Sequence, residues 1–314
     1  MKISMTFPAP RDRKLTEYSS NEFLLNDVDN SCDLIYAASV STLEKSIQLK
    51  NKVDLPLVCW CWDLPYNWRE WNMTDTGIRE NSFRDGQIKQ RVEMLKKCDL
   101  VITPTKWVQN TLKSEFSVDS EQIYQFIDTD EIDRHPTQEK TDSITQISRF
   151  FYNKKFHHTV YATKDLNYEV NLIGTGIKNS YGKEIKKEIE ETKNHNINIH
   201  DSISRGSVIE HLKKSKVLVS PSVFEGWGIT PIEGLYTKNC ILLSDLDVFK
   251  EVYGDNVIYH DKNDKKDMKK KLEYLIKNED VREDIIKKCQ PIISEFTPER
   301  YANRWDNLIN TYFK

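Results

Sequence analysis

The sequence predicts an α/β protein built as two doubly wound, Rossmann-like domains, and three observations carry that prediction. The chain has 314 residues, whereas one domain usually takes about 100–200. Short β-branched and aliphatic runs alternate with amphipathic stretches, the pattern of parallel strands joined by crossover helices. Glycine is scarce, ten residues, yet five of them fall in two short segments at the ends of strand candidates.

The elements follow in order. Met1–Phe7 is a short alternating apolar segment that meets Pro8 and Pro10. It lacks the apolar stretch and cleavage site of a signal peptide and reads as a first strand. Further strands are expected at Asp33–Ala38, Pro56–Trp62 and Asp99–Thr103, with helices near Thr42–Lys50, Gln87–Lys97 and Lys106–Phe116. Ile127–Asp130 and the polar stretch Asp133–Asp142, which contains Pro136, read as a linker. The expected boundaries are therefore a first domain over 1–127, a hinge over 128–142 and a second domain over 143–297. In the second domain, strands are expected at Ser143–Ser148, Glu169–Ile173, Ile197–His200, Lys216–Ser220, Cys240–Ser244 and Val257–Tyr259. Ser180–Lys193, Ser207–Lys214 and Pro231–Lys238 are long enough for crossover helices. The last segment, 298–314, opens with Pro298 and carries Tyr301, Trp305, Leu308, Ile309 and Tyr312 at helical spacing. It is a candidate to pack back on the first domain.

Composition narrows the function classes. Hydrophobic residues make up 38% and charged residues 30%, and no apolar run is long enough to cross a bilayer. A soluble chain is expected, with peripheral membrane contact left open. The net charge of −3 is nearly balanced in both halves, which argues against a nucleic-acid footprint. The Lys265–Lys271 run is interleaved with Asp267 and followed by Glu273, so it reads as a solvated helix face and not a lipid patch. Six cysteines are scattered without Cys-x-x-Cys zinc spacing. They read as reduced thiols of a cytoplasmic protein, although an even count leaves disulfides formally open.

The chemistry concentrates in Ser220–Glu233, which follows a strand candidate and precedes a helix. Thr230 is a good N-cap and Pro231 a good first helical residue, so Gly226–Pro231 is expected to feed a helix N-terminus. Free N–H groups and the helix dipole make such an end a site for a diphosphate. The same residues also fit a capping box, in which Glu233 satisfies a backbone donor. What favours a ligand site is Glu225 with seven residues before Glu233, glycines between them, and the strand–loop–helix context.

This segment resembles the Glu-(seven residues)-Glu signature of glycosyltransferase family 4, retaining enzymes of the GT-B fold, with Trp227 where phenylalanine is usual. Ser148-Arg149-Phe150 with Lys154 resembles the family's Gly-Arg-Leu…Lys segment, and Leu172–Gly176 its Gly-x-Gly turn. Ile127–Asp130 resembles its Val-Asp-Thr-Asp, and Cys98–Ile102 its Ala-Asp-x-Val-Ile strand. The resemblance implies two facing Rossmann-like domains with the donor site in the cleft. It further implies metal-independent transfer of a sugar, with retention, from a uridine- or guanosine-diphosphate sugar to a hydroxyl of a carbohydrate or glycoconjugate. By it, Arg149 and Lys154 hold the diphosphate and Glu225 the sugar hydroxyls. Glu233 binds the ribose hydroxyls, Gly174 and the Gly226, Trp227, Gly228, Ile229 and Thr230 backbone the phosphates and sugar, and Ser202 and Ile203 the base. No cofactor is expected beyond this co-substrate. Asp-x-Asp pairs occur at Asp27/Asp29, Asp128/Asp130 and Asp245/Asp247, but aspartate is abundant and none lies beside the motif, so no metal is expected.

The first domain departs from the family in two places. The usual Gly-Gly loop after the first strand is replaced by a glycine-free basic loop, Pro8–Lys14. Trp62 stands where many relatives have a histidine near the reacting carbon, and Asp63 is kept, so the resemblance leaves Asp63, the catalytic candidate there, or a backbone carbonyl to take over that role. Trp62 and Trp68 are candidates to stack on an acceptor sugar, with ordinary packing as the alternative. Two rival functions remain: a GT-B protein that binds a nucleotide sugar without transferring it, and a sugar phosphorylase on the same fold.

Overall fold

The computed structural model describes the chain except Phe7, Ala9, Asp29, Asn30, residues 63–76 and Lys314, with backbone alone for Pro10, Arg11 and residues 77–85. It divides into two units, one holding the described residues of 1–128 and 295–314, the other Thr129–Ser294. Each is built on a six-stranded sheet that is parallel throughout.

The first sheet has the order β2-β1-β3-β4-β5-β6. Its strands are β1 (Lys2–Thr6), β2 (Glu22–Leu25), β3 (Leu34–Ala37), β4 (Leu57–Trp60), β5 (Leu100–Thr103) and β6 (Glu121–Gln122). The inner strands β3, β4 and β5 are buried along their whole length, which explains why they read as continuous apolar runs. The edge strands β2 and β6 were not expected; β2 is half-exposed and β6 has two residues, so neither carries a strong apolar signal. Pro8–Lys14, expected as a loop, instead starts a helix, Pro10–Tyr18. Proline suits a first helical position, and Asp12 places a negative charge in the first turn.

The helix Pro298–Phe313 belongs to this unit. Tyr301, Trp305 and Ile309 enter the same core cluster as Ile3, Tyr36, Trp60 and Phe126. Trp305 meets the Tyr36 ring edge-on at 5.5 Å. The nearly buried Asp306 carboxylate accepts hydrogen bonds from Ser19 Oγ at 2.5 Å, from Ser20 N at 2.6 Å and from Asn21 Nδ2 at 2.8 Å. Four residues near the two ends of the chain are thus fastened through charge-assisted bonds.

The second sheet has the order β12-β11-β10-β7-β8-β9. Its strands are β7 (Thr141–Ile147), β8 (Glu169–Gly174), β9 (Ile197–Asp201), β10 (Ser215–Ser220), β11 (Cys240–Ser244) and β12 (Ile258–His260). From β7 the chain moves outward through β8 to β9, then returns to β10 on the other side of β7. The order therefore reverses between β7 and β10, the place where open parallel sheets bind ligands outside their carboxyl ends. The polar stretch expected as a linker is structured at both ends: Thr129–Asp133 is a short helix, and β7 already includes Thr141 and Asp142. All six cysteines are free thiols, and five of them are buried. Among the described residues, no helix is long and apolar enough to cross a membrane.

Candidate active site

Because the second sheet is parallel, the segments after β7, β8, β9 and β10 gather at one edge. The first is Ser148–Lys155. Ser148 N donates to Ile173 O at 3.0 Å and Phe150 N to Thr175 O at 2.8 Å, which ties the segment to the end of β8. The approach is so close that a Cβ on Gly174 would lie 1.7 Å from the Ser148 carbonyl oxygen. Glycine is required here by contact and not by dihedral angle; Gly176, at φ +93°, is required by its backbone conformation.

Two of the expected phosphate ligands sit on this segment in different states. Arg149 is exposed, with its guanidinium over the Phe151 ring, 5.2 Å from the centroid. Lys154 ends a single 3-10 turn, and Lys155 after it takes the left-handed conformation at φ 48°. A left-handed lysine is strained by roughly 1–2 kcal/mol, and the turn is fixed by Gln146 Nε2 donating to Lys154 O at 2.7 Å. Lys154 Nζ then reaches Glu225 Oε1 at 2.6 Å, with side chains only 12% and 19% exposed. Val223 N bonds Asn153 O at 2.9 Å beside it. The segments after β7 and β10 are thereby joined across the point where strand order reverses.

After β9, Ser202 turns through a left-handed conformation at φ 57°, and its N–H donates to Gly174 O at 2.7 Å. Ser202 is exposed and Ile203 half-buried. Ser204 caps the helix Arg205–Lys214 by accepting from Ser207 N.

After β10, the helix Ile229–Tyr236 starts two residues earlier than the expected Pro231, with Gly228 as N-cap at φ 81°. No side chain caps it, so the expected Thr230 cap is not formed. The capping-box alternative also fails. The Glu233 side chain, 6% exposed, accepts from Arg205 Nη2 at 2.6 Å and from Arg205 Nη1 at 3.1 Å in a two-pronged pair. Arg205 Nε donates to Glu131 at 3.1 Å. Burial opposes the charge on Arg205, and the two carboxylates more than offset it, so its pKa is raised. Gly234 lets the helix lie directly on β10, since a Cβ there would be 2.7 Å from Leu218 Cδ2.

The expected residues thus form two centres at one sheet edge, Lys154 with Glu225 and Glu233 with Arg205. Sequence reading missed Arg205 and Glu131. A helix start just after a strand at the same edge was the available signal for Arg205, while nothing local marks Glu131. In the first unit, Trp62 packs against the core, 5.6 Å from Trp60, and is partly exposed. Asp63 and Trp68 lie outside the described residues. Chemically, the second unit's edge offers cations, backbone donors at a helix start and two carboxylates, the set that an anionic ligand with adjacent hydroxyls calls for.

Comparison with known proteins bears on this. Residues 128–290 match the family model described as "Glycosyl transferases group 1". Over 175 residues the chain is 26% identical to the O-antigen chain mannosyltransferase RfbU of Salmonella typhimurium, which covers 55% of this chain and 49% of that protein. The chain thus spans about half the length of that curated relative. Among solved structures, sucrose-phosphate synthase of Thermosynechococcus elongatus superposes with a TM-score of 0.80 at 11% identity, over 100% of this chain and 99% of that one. HepE of Anabaena, solved with UDP and glucose, superposes with a TM-score of 0.77 at 14% identity, over 99% and 100%. At these identities the superpositions establish the fold.

Proposed function

The chain belongs to the group 1 glycosyl transferases, and from that premise we propose that it moves a sugar, with retention and without a metal, from a uridine- or guanosine-diphosphate sugar to a hydroxyl of a carbohydrate or glycoconjugate. The observation that carries this reading is the Lys154–Glu225 pair, 2.6 Å long, at the reversal of strand order. In the family 4, GT-B reading of the motif, Glu225 and Glu233 are its two glutamates.

Transfer builds negative charge on the departing diphosphate. Arg149, Lys154 and the free N–H groups at Gly228–Thr230 are assigned to that charge. Two cations and a helix start supply what a divalent ion supplies elsewhere, which supports metal independence. Glu225 is assigned to the sugar hydroxyls; on binding, it shares Lys154 between carboxylate and phosphate. Glu233 is assigned to the ribose, and Ser202 and Ile203 to the base, largely through backbone. Retention follows if the acceptor hydroxyl attacks from the face the diphosphate leaves, with a diphosphate oxygen taking its proton. The reaction is assigned to the cytoplasm, where the six free thiols would stay reduced.

The test is release of nucleoside diphosphate from a panel of uridine- and guanosine-diphosphate sugars, in EDTA, with mannose included because the curated relative is a mannosyltransferase. One donor should turn over, and Glu225→Ala and Arg149→Ala should each lower the rate about 100-fold or more. A requirement for manganese, or turnover untouched by both substitutions, would overturn the proposal.

A further inference from the structure

We infer that Arg205 is a positioning residue of the nucleotide site: it locks the Glu233 carboxylate in the orientation that accepts both ribose hydroxyls, and so sets the preference for a ribonucleotide donor. The inference rests on the reading of Glu233 as the ribose acceptor.

The geometry is specific. Three N–H donors of one guanidinium are engaged, Nη1 and Nη2 by Glu233 and Nε by Glu131. A planar fork on two carboxylate oxygens fixes the carboxylate plane. Each Glu233 oxygen then keeps one acceptor position, and two acceptors held in one plane match a vicinal diol. A lone carboxylate only 6% exposed would instead be free to rotate and costly to keep charged.

Arg205 is itself framed. It opens the helix Arg205–Lys214, and the neighbouring Gly206 leaves room for His135, since a Cβ there would lie 2.8 Å from His135 Cε1. Lys213 Nζ donates to the His135 carbonyl at 2.5 Å. Tyr236 OH donates to Asp133 at 2.7 Å from the helix that carries Glu233. Segment 129–135 therefore closes a frame around the Arg205–Glu233 fork, with Glu131 on its inner side. Glu131 is a third exposed and Glu233 nearly buried, so the cation matters more to Glu233. Nothing in the phosphate or sugar chemistry needs a guanidinium at this place, whereas a rigid diol acceptor does.

The test is calorimetric titration of UDP and GDP, and of their 2′,3′-dideoxy forms, into wild type, Arg205→Gln, Arg205→Lys and Glu131→Gln. Wild type should prefer one ribonucleoside diphosphate over its dideoxy form by more than about 10-fold. Arg205→Gln should weaken that ribonucleotide about 10- to 100-fold and change the dideoxy form less than about 2-fold. Arg205→Lys should fall between, Glu131→Gln should cost less than about 3-fold, and in turnover the donor KM should rise with kcat nearly unchanged. Equal losses for both nucleotide forms, or no loss in either, would overturn the inference, because a purely structural role cannot tell ribose from dideoxyribose. Should Arg205→Gln fail to fold, the Arg205→Lys titration decides on the same criterion, a loss for the ribonucleotide that the dideoxy form does not share. Wild type that binds neither diphosphate would overturn the inference together with the function it rests on. Wild type that turns a donor over without any ribose preference would overturn the inference alone.

Discussion

The two units share one architecture, six parallel strands with flanking helices, yet they spend their sequence differently. Eight of the ten glycines and all seven histidines lie in the second unit; the first has only Gly77 and Gly86. Parallel sheets do not themselves require glycine, as β3, β4 and β5 demonstrate. Several glycines of the second unit mark contact: Gly174 under the Ser148 carbonyl, Gly182 against Ile177, Gly228 against Phe249, Gly234 against Leu218; Gly176 and Gly254 instead take backbone at positive φ. A fold alone asks for apolar runs and helix caps. An edge at which four loops must converge asks also for backbone that comes closer than any side chain allows.

The strongest way to break this comparison is Gly174→Ala. The Cβ would stand 1.7 Å from a backbone oxygen, which cannot move without shifting Arg149. A cost above about 3 kcal/mol is expected in the second unit. Donor turnover should fall more than about 100-fold, because displacing a positioning segment by about 1 Å is enough for that. Thermal unfolding and the donor assay would measure both; an alanine that is tolerated would remove contact as the reason for the glycine.

The same contrast explains what could be read from the sequence. The strands of the second unit, the Glu225-to-Glu233 segment and the Arg149–Lys154 segment were legible because each is local: an apolar run, a spacing, a turn. Arg205 was not, because its partners stand 28 and 74 residues away and meet it only once the sheet order is known. The start of the helix at Ile229 was misjudged for a related reason. Thr230 and Pro231 have the right local preferences, but Gly228 can take a left-handed conformation and begin the helix sooner. In the first unit the edge strand β2 escaped because half-exposed residues carry no continuous apolar run, and the fastening of Asp306 to Ser19, Ser20 and Asn21 joins positions too far apart to suggest one another.

Histidine gives a second, smaller way to sharpen the comparison. Burial pushes His157 down to about 4 and His158 down to about 3, with Lys155 and Lys265 adding to the effect on both and His157 adding to it on His158, and burial also lowers His260. Folded, these rings stay neutral below their ordinary range; unfolded, they take up protons below about pH 6.5. The unfolded chain therefore binds more protons, and stability of the second unit must fall as pH drops from about 6.5 towards 4. For His157 and His158 together a loss of about 3 kcal/mol between pH 6.5 and 5 is expected, somewhat less than full shifts would give, since neither ring is wholly cut off from water. The first unit has no histidine to contribute such a loss. Hydrogen exchange, corrected for intrinsic rates, should show protection falling in Phe156–Thr163 and in β11 while β4 and β5 keep theirs. Equal loss in both units would mean that carboxylates common to both govern the acid response.

The smallest effect has the opposite sign. Gly86 lies inside the helix Gly77–Leu95, is exposed, and has nothing within 4 Å of the position its Cβ would take. No left-handed backbone conformation holds it there either. Glycine in a helix interior costs about 0.5–1 kcal/mol relative to alanine, chiefly because the unfolded chain has more conformations to lose. Gly86→Ala should therefore raise stability by about that amount, with donor turnover unchanged, and a denaturant titration beside the donor assay would measure both. The sign is what carries the argument. One added methyl group is expected to damage the second unit at Gly174 and to strengthen the first at Gly86, although both glycines sit in regular secondary structure with ordinary dihedrals. A stabilised Gly86→Ala protein beside a damaged Gly174→Ala protein would assign the glycine content of the second unit to its loop convergence. A destabilised Gly86→Ala protein would instead mean that the first unit uses close approach as well, at a place where none is visible.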